Sequence, residues 1–340
     1  MPTVHGRRAG RVFAIGDTAV ASRLARVLSG GLVGKANLWL ARGEPPPAFL
    51  VCTGDRTLST VRRGLHLYNV DAAMAWEAAV LDAWSRGIES VWLAAIDERE
   101  VASFLGLGPE VRVPALIALG KMRARGRLYH GITQRILSGR RRPLEGIVFE
   151  GRFGRPLRIS PPDPDRRADM HALHGGRPSG HVEVRLPGPS AAFAGGPGDE
   201  DLRTMLDAAR WAPNADNGQI WRWIVVRERT GIEAVLAAAG IPEAADSGDF
   251  AMLAACAAPF IIRHRSREQP FALIDVPIAA VHVVAMGSAL GHGWNMIVDF
   301  DDMAASRALG VPEDHLLVAL LLVGRSAADG ADLPRWQQMR

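Results

Sequence analysis

The sequence has little of what several common protein classes require. Among 340 residues there are only two cysteines, Cys52 and Cys256, and neither belongs to a CxxC or Cys/His spacing that would indicate zinc. Both lie among apolar residues, which is typical of small buried hydrophobes. No GxGxxG follows a predicted strand, so a Rossmann site is not indicated. The spacing of Asp299, Asp301 and Asp302 matches no metal-binding loop. The charge excess is only +4, from 40 basic and 36 acidic residues, which gives no reason to expect nucleic-acid binding.

Long hydrophobic runs are also missing. Residues 1–8 have no apolar segment of the kind that a signal peptide contains. The most apolar helix candidate, residues 276–290, is about 15 residues long, and about 20 are needed to span a bilayer. The sequence therefore predicts a soluble, cytoplasmic protein with no membrane partner. A chain of 340 residues has room for about two domains.

The sequence does contain an internal repeat with a constant spacing of 204 positions. Residues 69–121 align without a gap with residues 273–325. The aligned pairs include Asp71 with Asp275, Gly87 with Gly291, Asp97 with Asp301, and Lys121 with Arg325. Both copies predict a helix, a glycine turn, a strand, a helix and a strand. Two copies indicate a duplicated domain, a covalent version of a homodimer.

The first helix of each copy is apolar on nearly every face, over residues 72–84 and 276–290. A helix that is apolar all round is buried all round. We expect the two helices to pack against each other across a pseudo-twofold axis. In the alternative arrangement, each helix is central to its own separate domain. Asp71 and Asp199 are predicted to cap the helices that follow them, because an aspartate oxygen accepts the free N–H groups of a first turn.

Residues 156–200 form the clearest break in the chain, because proline and glycine punctuate them throughout. Such a segment is typical of a linker, and the alternative is a lid, since long loops in compact proteins often close over a site. The predicted domains are a first copy over residues 1–155, a linker or lid over 156–200, and a second copy over 201–340.

The most specific stretch is residues 208–223. There a helix ends in Ala-Pro, a small polar loop follows, and Asn-x-Gln-x-Trp leads into a strand. This stretch resembles the signature of the FMN-dependent nitroreductase superfamily, and the matching positions are Pro213, Asn214, Asn217, Gln219 and Trp221. One departure is that an isoleucine, residue 220, stands where the family has proline.

Other motifs carry the same resemblance. Residues 97–107 are similar to the family's Asp-Glu-x-x-Val-x-x-x-Leu-Gly-Leu, and residues 118–120 complete its last strand. Residues 142–148 resemble the family's tail, and residues 7–13 resemble its Arg-Arg-Ser-x-Arg-x-Phe, with Ala9 in place of the serine. The resemblance implies an α+β, nitroreductase-like fold. It would have two copies, each with a mixed, largely antiparallel sheet flanked by helices, fused as an intramolecular pseudo-dimer.

The resemblance also implies one composite FMN site in each chain. The first copy would supply arginines for the phosphate, a strand edge near flavin N5, and a basic residue after its last strand. Guanidinium groups suit the first role because their donors match phosphate oxygens in pairs. The predicted cofactor-binding residues are Arg7, Arg8, Arg11, Ala94, Ala95, Lys121 or Arg123 from the first copy, and Pro213, Asn214, Asn217 and Gln219 from the second.

The first copy lacks a segment like 208–223, and residues 15–43 have no match in the second copy. An alternative flavin site would use Arg177 and Arg325 to bind the phosphate. No side chain is expected to act as a catalytic nucleophile, because flavin itself carries hydride chemistry.

The implied function is an FMN-dependent oxidoreductase. It would pass electrons from NAD(P)H to a small organic acceptor such as a nitroaromatic, a quinone or an enone. Two alternatives remain at this point: a protein that sequesters flavin without turnover, and a flavin-free scaffold. The expected state is a monomeric pseudo-dimer or a weak homo-oligomer.

Overall fold

The computed structural model describes residues 9–31, 33–40, 45–121, 141–159, 190, 192–258 and 270–327. By its contacts the chain divides into two compact units. We call the unit of Gly6–Arg135 and Arg263–Gln269 the N-terminal unit. We call the unit of Met1–His5, Ile136–Ile262 and Pro270–Arg340 the C-terminal unit. The predicted linker or lid, residues 156–200, lies mostly outside the described residues.

The N-terminal unit is built on a four-stranded antiparallel sheet. Its strands are β1 (Gly10–Ile15), β2 (Ala48–Asp55), β3 (Val61–Arg62), β4 (Leu65–His66), β5 (Glu89–Leu93) and β6 (Val111–Gly120). Its helices are α1 (Thr18–Leu28), α2 (Tyr68–Ser85) and α3 (Glu98–Leu105), with 3-10 helices at Val33–Leu40 and Arg56–Leu58. The sheet order is β1-β2-β6-β5, and β3 and β4 form a separate hairpin. Apolar residues of α1, α3 and the sheet form one core cluster.

The C-terminal unit has a five-stranded mixed sheet. Its strands are β7 (Val148–Glu150), β8 (Phe193–Ala194), β9 (Trp221–Val226), β10 (Gly248–Asp249), β11 (Ala251–Ala257), β12 (His292–Ile297) and β13 (Leu316–Arg325). Its helices are α4 (Asp199–Arg210), α5 (Arg229–Ala238), α6 (Ala272–Ala289) and α7 (Asp302–Leu309), with 3-10 helices at Leu144–Gly146, Ala215–Asn217 and Pro242–Ser247. The five-stranded sheet has the order β12-β13-β11-β9-β7, and within it only β7 runs parallel to its neighbour. Strands β8 and β10 form a separate parallel pair. The predicted α+β fold with largely antiparallel sheets is confirmed.

The repeat extends further than the sequence alignment indicated. The order β1, α1, 3-10 helix, β2, α2, β5, α3, β6 recurs as β9, α5, 3-10 helix, β11, α6, β12, α7, β13. Residues 15–43 therefore do have a counterpart, which corrects the sequence interpretation. Sheet register explains the failure: Val12 pairs with Cys52, and Arg222 pairs with Cys256. The cysteines are 204 positions apart but their partners are 210 apart, so a gapless alignment breaks between these strands.

The segment after the first copy joins the second sheet. Strand β7 pairs with β9, and the main-chain N–H of Trp223 donates to the Ile147 carbonyl oxygen at 2.8 Å. At the end of β7, Glu150 forms an ion pair with Arg227 at 2.6 Å. Arg227 also binds Asp199 at the start of α4. Residues 141–159 therefore belong to the C-terminal unit by their contacts.

Two predicted helix caps are wrong. Helix α2 begins at Tyr68, with Leu67 at the cap position, so Asp71 lies inside the first turn. Helix α4 has Gly198 at its cap position, and Asp199 is its first residue. The physical reason is that a carboxylate stabilises the positive end of a helix from anywhere in the first turn. An acidic residue before an apolar run therefore locates a helix start only to within a turn.

Helix α6 is largely buried, as its composition predicted. It is also the one helix among the described residues that is long and apolar enough to cross a membrane, but 72% of its residues are buried inside the protein. That is typical of the core helix of a soluble protein. The packing of α2 against α6 across a pseudo-twofold axis stays a prediction.

Candidate functional site

The loop over residues 211–220 connects α4 to β9 in the C-terminal unit. Helix α4 buries Leu202, Met205, Leu206 and Ala209, which is the apolar stripe of an amphipathic helix. It packs along α6, and β9 begins at Trp221 inside the sheet. The 211–220 loop is therefore held at both ends by buried elements.

The loop is conformationally strained. Asp216, Asn217 and Gln219 have φ angles of 50°, 55° and 47°, in the left-handed region that residues other than glycine seldom occupy. Each such residue costs on the order of 1–3 kcal/mol, and the conformation persists only where the surroundings impose it. Strain of this kind is concentrated at functional sites.

Side chains of the loop itself impose part of this conformation. Asn214 Oδ1 accepts the Gln219 N–H at 2.9 Å, and Asn214 Nδ2 donates to the Ala212 carbonyl oxygen at 3.1 Å. Gln219 is only 3% exposed. Its Nε2 donates to the Asn217 carbonyl oxygen at 3.3 Å, and its Oε1 accepts the Arg142 N–H at 2.7 Å. Asn214 and Gln219, predicted to bind cofactor, thus shape the loop.

Asn217 and Pro213 are both half-buried and partly face solvent. Within the described parts of the chain, the Asn217 side chain has no hydrogen-bond partner. Its amide can donate and accept hydrogen bonds. Of the three polar loop residues predicted to bind cofactor, Asn217 is therefore the one whose side chain is available to a ligand.

A carboxyl from outside the loop contacts its middle. Asp275, in the first turn of α6, is 4% exposed, and its Oδ2 accepts the Ala215 N–H at 3.1 Å. The pKa of Asp275 is raised to about 7, chiefly by burial; the Ala215 hydrogen bond lowers it and the nearby Asp216 carboxylate raises it. A buried carboxyl disfavours its charged form because water no longer solvates it.

Four arginines surround the loop, and we call them the arginine cluster: Arg141, Arg142, Arg210 and Arg222. Arg141 donates to the carbonyl oxygens of Trp211 and Ala212, at 3.3 and 3.1 Å. Burial, together with the nearby Arg210 charge, lowers the pKa of Arg141 to about 10. Carbonyl oxygens satisfy hydrogen bonds without neutralising charge, so this side of the loop stays positive.

The other members of the arginine cluster differ in their partners. Arg222 donates to the carbonyl oxygens of Trp221 and Gln219, at 2.7 and 3.2 Å. Burial lowers its pKa, and the charge of Arg142 lowers it further. Arg210 donates to the Arg142 carbonyl oxygen at 2.7 Å and is paired with an aspartate, residue 207. The Arg142 side chain is exposed and has no hydrogen-bond or ion-pair partner in the part of the chain that the structure describes.

Sequence reasoning missed the arginine cluster. The signal was present as the run of arginines at 140–142, directly before the family-like tail. It could not be connected to the 211–220 loop because about 70 residues separate the two in sequence.

The predicted first-copy residues lie in the N-terminal unit. Arg11 is exposed on β1, opposite Thr53. Ala94 and Ala95 follow β5, and the Ala95 carbonyl oxygen accepts a hydrogen bond from the buried Asn37 at 2.7 Å. Lys121 follows β6. Because Glu89 pairs with Gly120 and Leu93 with Leu116, Lys121 and Ala94 lie at opposite ends of this strand pair, roughly 20 Å apart at ~3.4 Å per residue.

Of the remaining predicted residues, the structure describes only Arg325. Arg7, Arg8, Arg123 and Arg177 lie outside the described residues. Arg325 ends β13 in the C-terminal unit, where it is exposed and its main-chain N–H donates to the Gly195 carbonyl oxygen at 2.8 Å. The composite site stays a prediction.

Comparison with protein-family models matches residues 40–121 and 197–325 to the Nitroreductase family. These segments cover more than half of the chain, so the protein belongs to the nitroreductase family and is an oxidoreductase by family. A comparison with curated proteins gave no match.

Several solved structures resemble the chain at low identity. A nitroreductase family protein from Clostridium difficile 630 is 22% identical, covering 46% of this chain and 92% of its own, with a TM-score of 0.40. NfrA2 of B. megaterium is 22% identical, covering 44% of this chain and 67% of its own, with a TM-score of 0.37. NADPH:FMN oxidoreductase from Vibrio harveyi is 16% identical, covering 44% of this chain and 70% of its own, with a TM-score of 0.37.

Proposed function

We propose that the protein is an FMN-dependent oxidoreductase that passes electrons from NAD(P)H to a small organic acceptor. The observation that carries the proposal is the strained 211–220 loop, with its available Asn217 side chain beside the arginine cluster. FMN, when bound, supplies the hydride chemistry. One similar protein is an NADPH:FMN oxidoreductase by its name.

The residues of the C-terminal unit fit an anionic, phosphate-bearing cofactor. Arg142 offers a guanidinium whose donors match phosphate oxygens, and among the described residues Arg210 is the one member of the arginine cluster that is paired with a carboxylate. Asn217 would hydrogen-bond polar atoms of the ring. Asn214 and Gln219 would hold the loop, and Pro213 would contact the cofactor by apolar surface. Arg7, Arg8, Arg11, Ala94, Ala95, Lys121 and Arg123 stay proposed contributors from the first copy.

Flavin titration tests the proposal. FMN added to flavin-depleted protein should show saturable quenching of its fluorescence. Arg142→Ala should weaken the affinity about tenfold, because a charge-assisted hydrogen bond is worth about 1.5–3 kcal/mol. Arg86→Ala, which removes an exposed arginine at the C-cap of α2 in the first copy, is the matched control and should leave the affinity unchanged. A protein that never binds FMN would contradict the proposal.

Two further measurements test which residues bind the phosphate and whether bound FMN is reduced. Replacing Arg7, Arg8 and Arg11 together by alanine tests the first-copy phosphate site, and an unchanged affinity would remove these three residues from the site. Anaerobic addition of NADH or NADPH to the FMN-loaded protein should bleach the flavin absorbance. Binding without bleaching would favour flavin storage over turnover.

A further inference from the structure

The 211–220 loop depends on a residue far away in the sequence. Ala215 begins the strained 3-10 turn, and its N–H donates to Asp275 Oδ2 at 3.1 Å. Asp275 stands in the first turn of α6, the buried helix that packs along α4. The carboxyl is thus fixed to the same framework that holds the start of the loop.

We propose that Asp275 is the positioning residue of the 211–220 loop, whose carboxyl fixes Ala215 and so sets the conformation that presents Asn217. The consequence for flavin rests on the proposed function, whereas the effect on the loop does not. Asp275 itself is not placed against a substrate.

Burial and charge support this assignment. A buried carboxyl is costly unless it is hydrogen-bonded, so a site that needed only packing would favour an apolar side chain. The charged group that faces Asp275 is Asp216 of the loop, which disfavours its ionisation. On α4, the helix packed against α6, Asp201 is paired with His292, and another aspartate, residue 207, is paired with an arginine. Asp275 therefore accepts the Ala215 hydrogen bond although the nearby Asp216 charge disfavours ionisation of its carboxyl.

The other copy supplies a natural control. Asp71 occupies the equivalent position in the first turn of α2, 204 positions earlier. Asp71 lies in the N-terminal unit, whereas the 211–220 loop belongs to the C-terminal unit. Removing Asp71 should therefore change local helix stability without affecting a loop of this kind.

Hydrogen exchange of the full-length chain, without added flavin, tests the proposal. Asp275→Ala should speed exchange of the Ala215 amide about tenfold, because the N–H loses its acceptor in a partly buried place. Asp275→Asn retains an oxygen that can accept this bond, so exchange should stay within about threefold of wild type. Asp71→Ala should leave exchange over residues 211–220 unchanged. Unchanged exchange in Asp275→Ala, or an equal change in Asp71→Ala, would overturn the proposal.

A pH series keeps the test decisive if Asp275→Ala does not fold. The Ala215 bond favours the ionised carboxyl, so by linkage the wild-type protection factor of this amide should rise as pH rises through about 7. In Asp275→Asn it should be independent of pH, and the same pH dependence in both chains would refute the assignment. If the exchange results hold but FMN does not bind to wild type, the proposed function fails and the positioning role stands.

Discussion

Strands β1 and β9 are equivalent in the two copies, yet their surroundings are opposite. Phe13 on β1 is 42% exposed, and Trp223, at the matching position of β9, is 0% exposed. Strand β1 has β2 as its only sheet neighbour among the described residues, whereas β9 lies between β11 and β7. The difference teaches that equivalent strands of a repeat can lie at the edge of one sheet and in the interior of the other. In the second copy, β7, α4 and the 211–220 loop are added around the strand.

The segment that covers β9 also shapes the loop. Strand β7 lies against β9, and six residues earlier the Arg142 N–H donates to the buried Gln219 side chain. The arginine cluster includes residues from this same segment. The added tail therefore contributes both burial and positive charge, and both are features of the C-terminal unit.

The largest expected effect comes from truncating the two equivalent aromatic residues. Trp223→Ala should lower the free energy of unfolding by about 3–5 kcal/mol, because it leaves a cavity in a packed core. Phe13→Ala should lower it by less than about 1 kcal/mol, because the ring is already partly in water. Denaturant unfolding followed by circular dichroism measures both. Equal losses would show that the strands are not as different as their exposure indicates.

The pH dependence of stability should separate Asp275 from Asp71. The pKa of Asp275 is raised from 3.8 to about 7 in the folded protein, so the folded state holds an extra proton between these values. This contribution to stability is complete below about pH 4 and is lost as pH rises through about 7, by at most about 1.4 kcal/mol per pH unit.

Thermal or denaturant unfolding from pH 4 to 8 measures that slope. Asp275→Asn should remove its share of the slope, because an amide does not titrate in this range. Asp71→Asn should leave the Asp275 contribution in place. A wild-type slope in the Asp275→Asn variant would contradict the assigned pKa.

A smaller effect is expected from the ion pairs that hold β7. Arg227→Ala removes the contacts to Glu150 and Asp199 and should lower the free energy of unfolding by about 1 kcal/mol. Arg86→Ala removes an exposed pair with Asp82 on α2 and should cost only about 0.3–0.5 kcal/mol. Hydrogen exchange over residues 148–150 gives the local readout. Exchange over these residues should be faster in Arg227→Ala and unchanged in Arg86→Ala. Equal exchange rates in the two variants would mean that Arg227 does not hold β7.

Much of the fold could be predicted from local sequence. The all-round apolar pattern of α6 predicted its burial, and glycines at 87 and 291 predicted the turns after α2 and α6, where both have positive φ angles. The starts of α2 and α4 were misplaced because an acidic side chain favours any position of a first turn. The counterpart of residues 15–43 was missed because a change of six in the spacing breaks a gapless alignment.

The candidate site was predictable only in part. Residues 213–219 were recognised from their motif, but the motif gave no way to tell which side chains face inward. The side chains of Asn214 and Gln219 form hydrogen bonds within the protein. The Asn217 side chain forms none with the described residues. The partners that decide this, Arg142 and Asp275, are distant in sequence.

The sequence by itself determined the duplication, the order of helices and strands, and the nitroreductase-like loop. These depend on periodicity, glycine turns and short motifs, which act over a few residues. Only the tertiary structure decided that β7 joins the second sheet, that the arginine cluster gathers beside the loop, and that Asp275 holds Ala215. Those choices depend on burial and hydrogen bonds between residues about 60–77 positions apart, and local sequence does not encode which distant partner completes each contact.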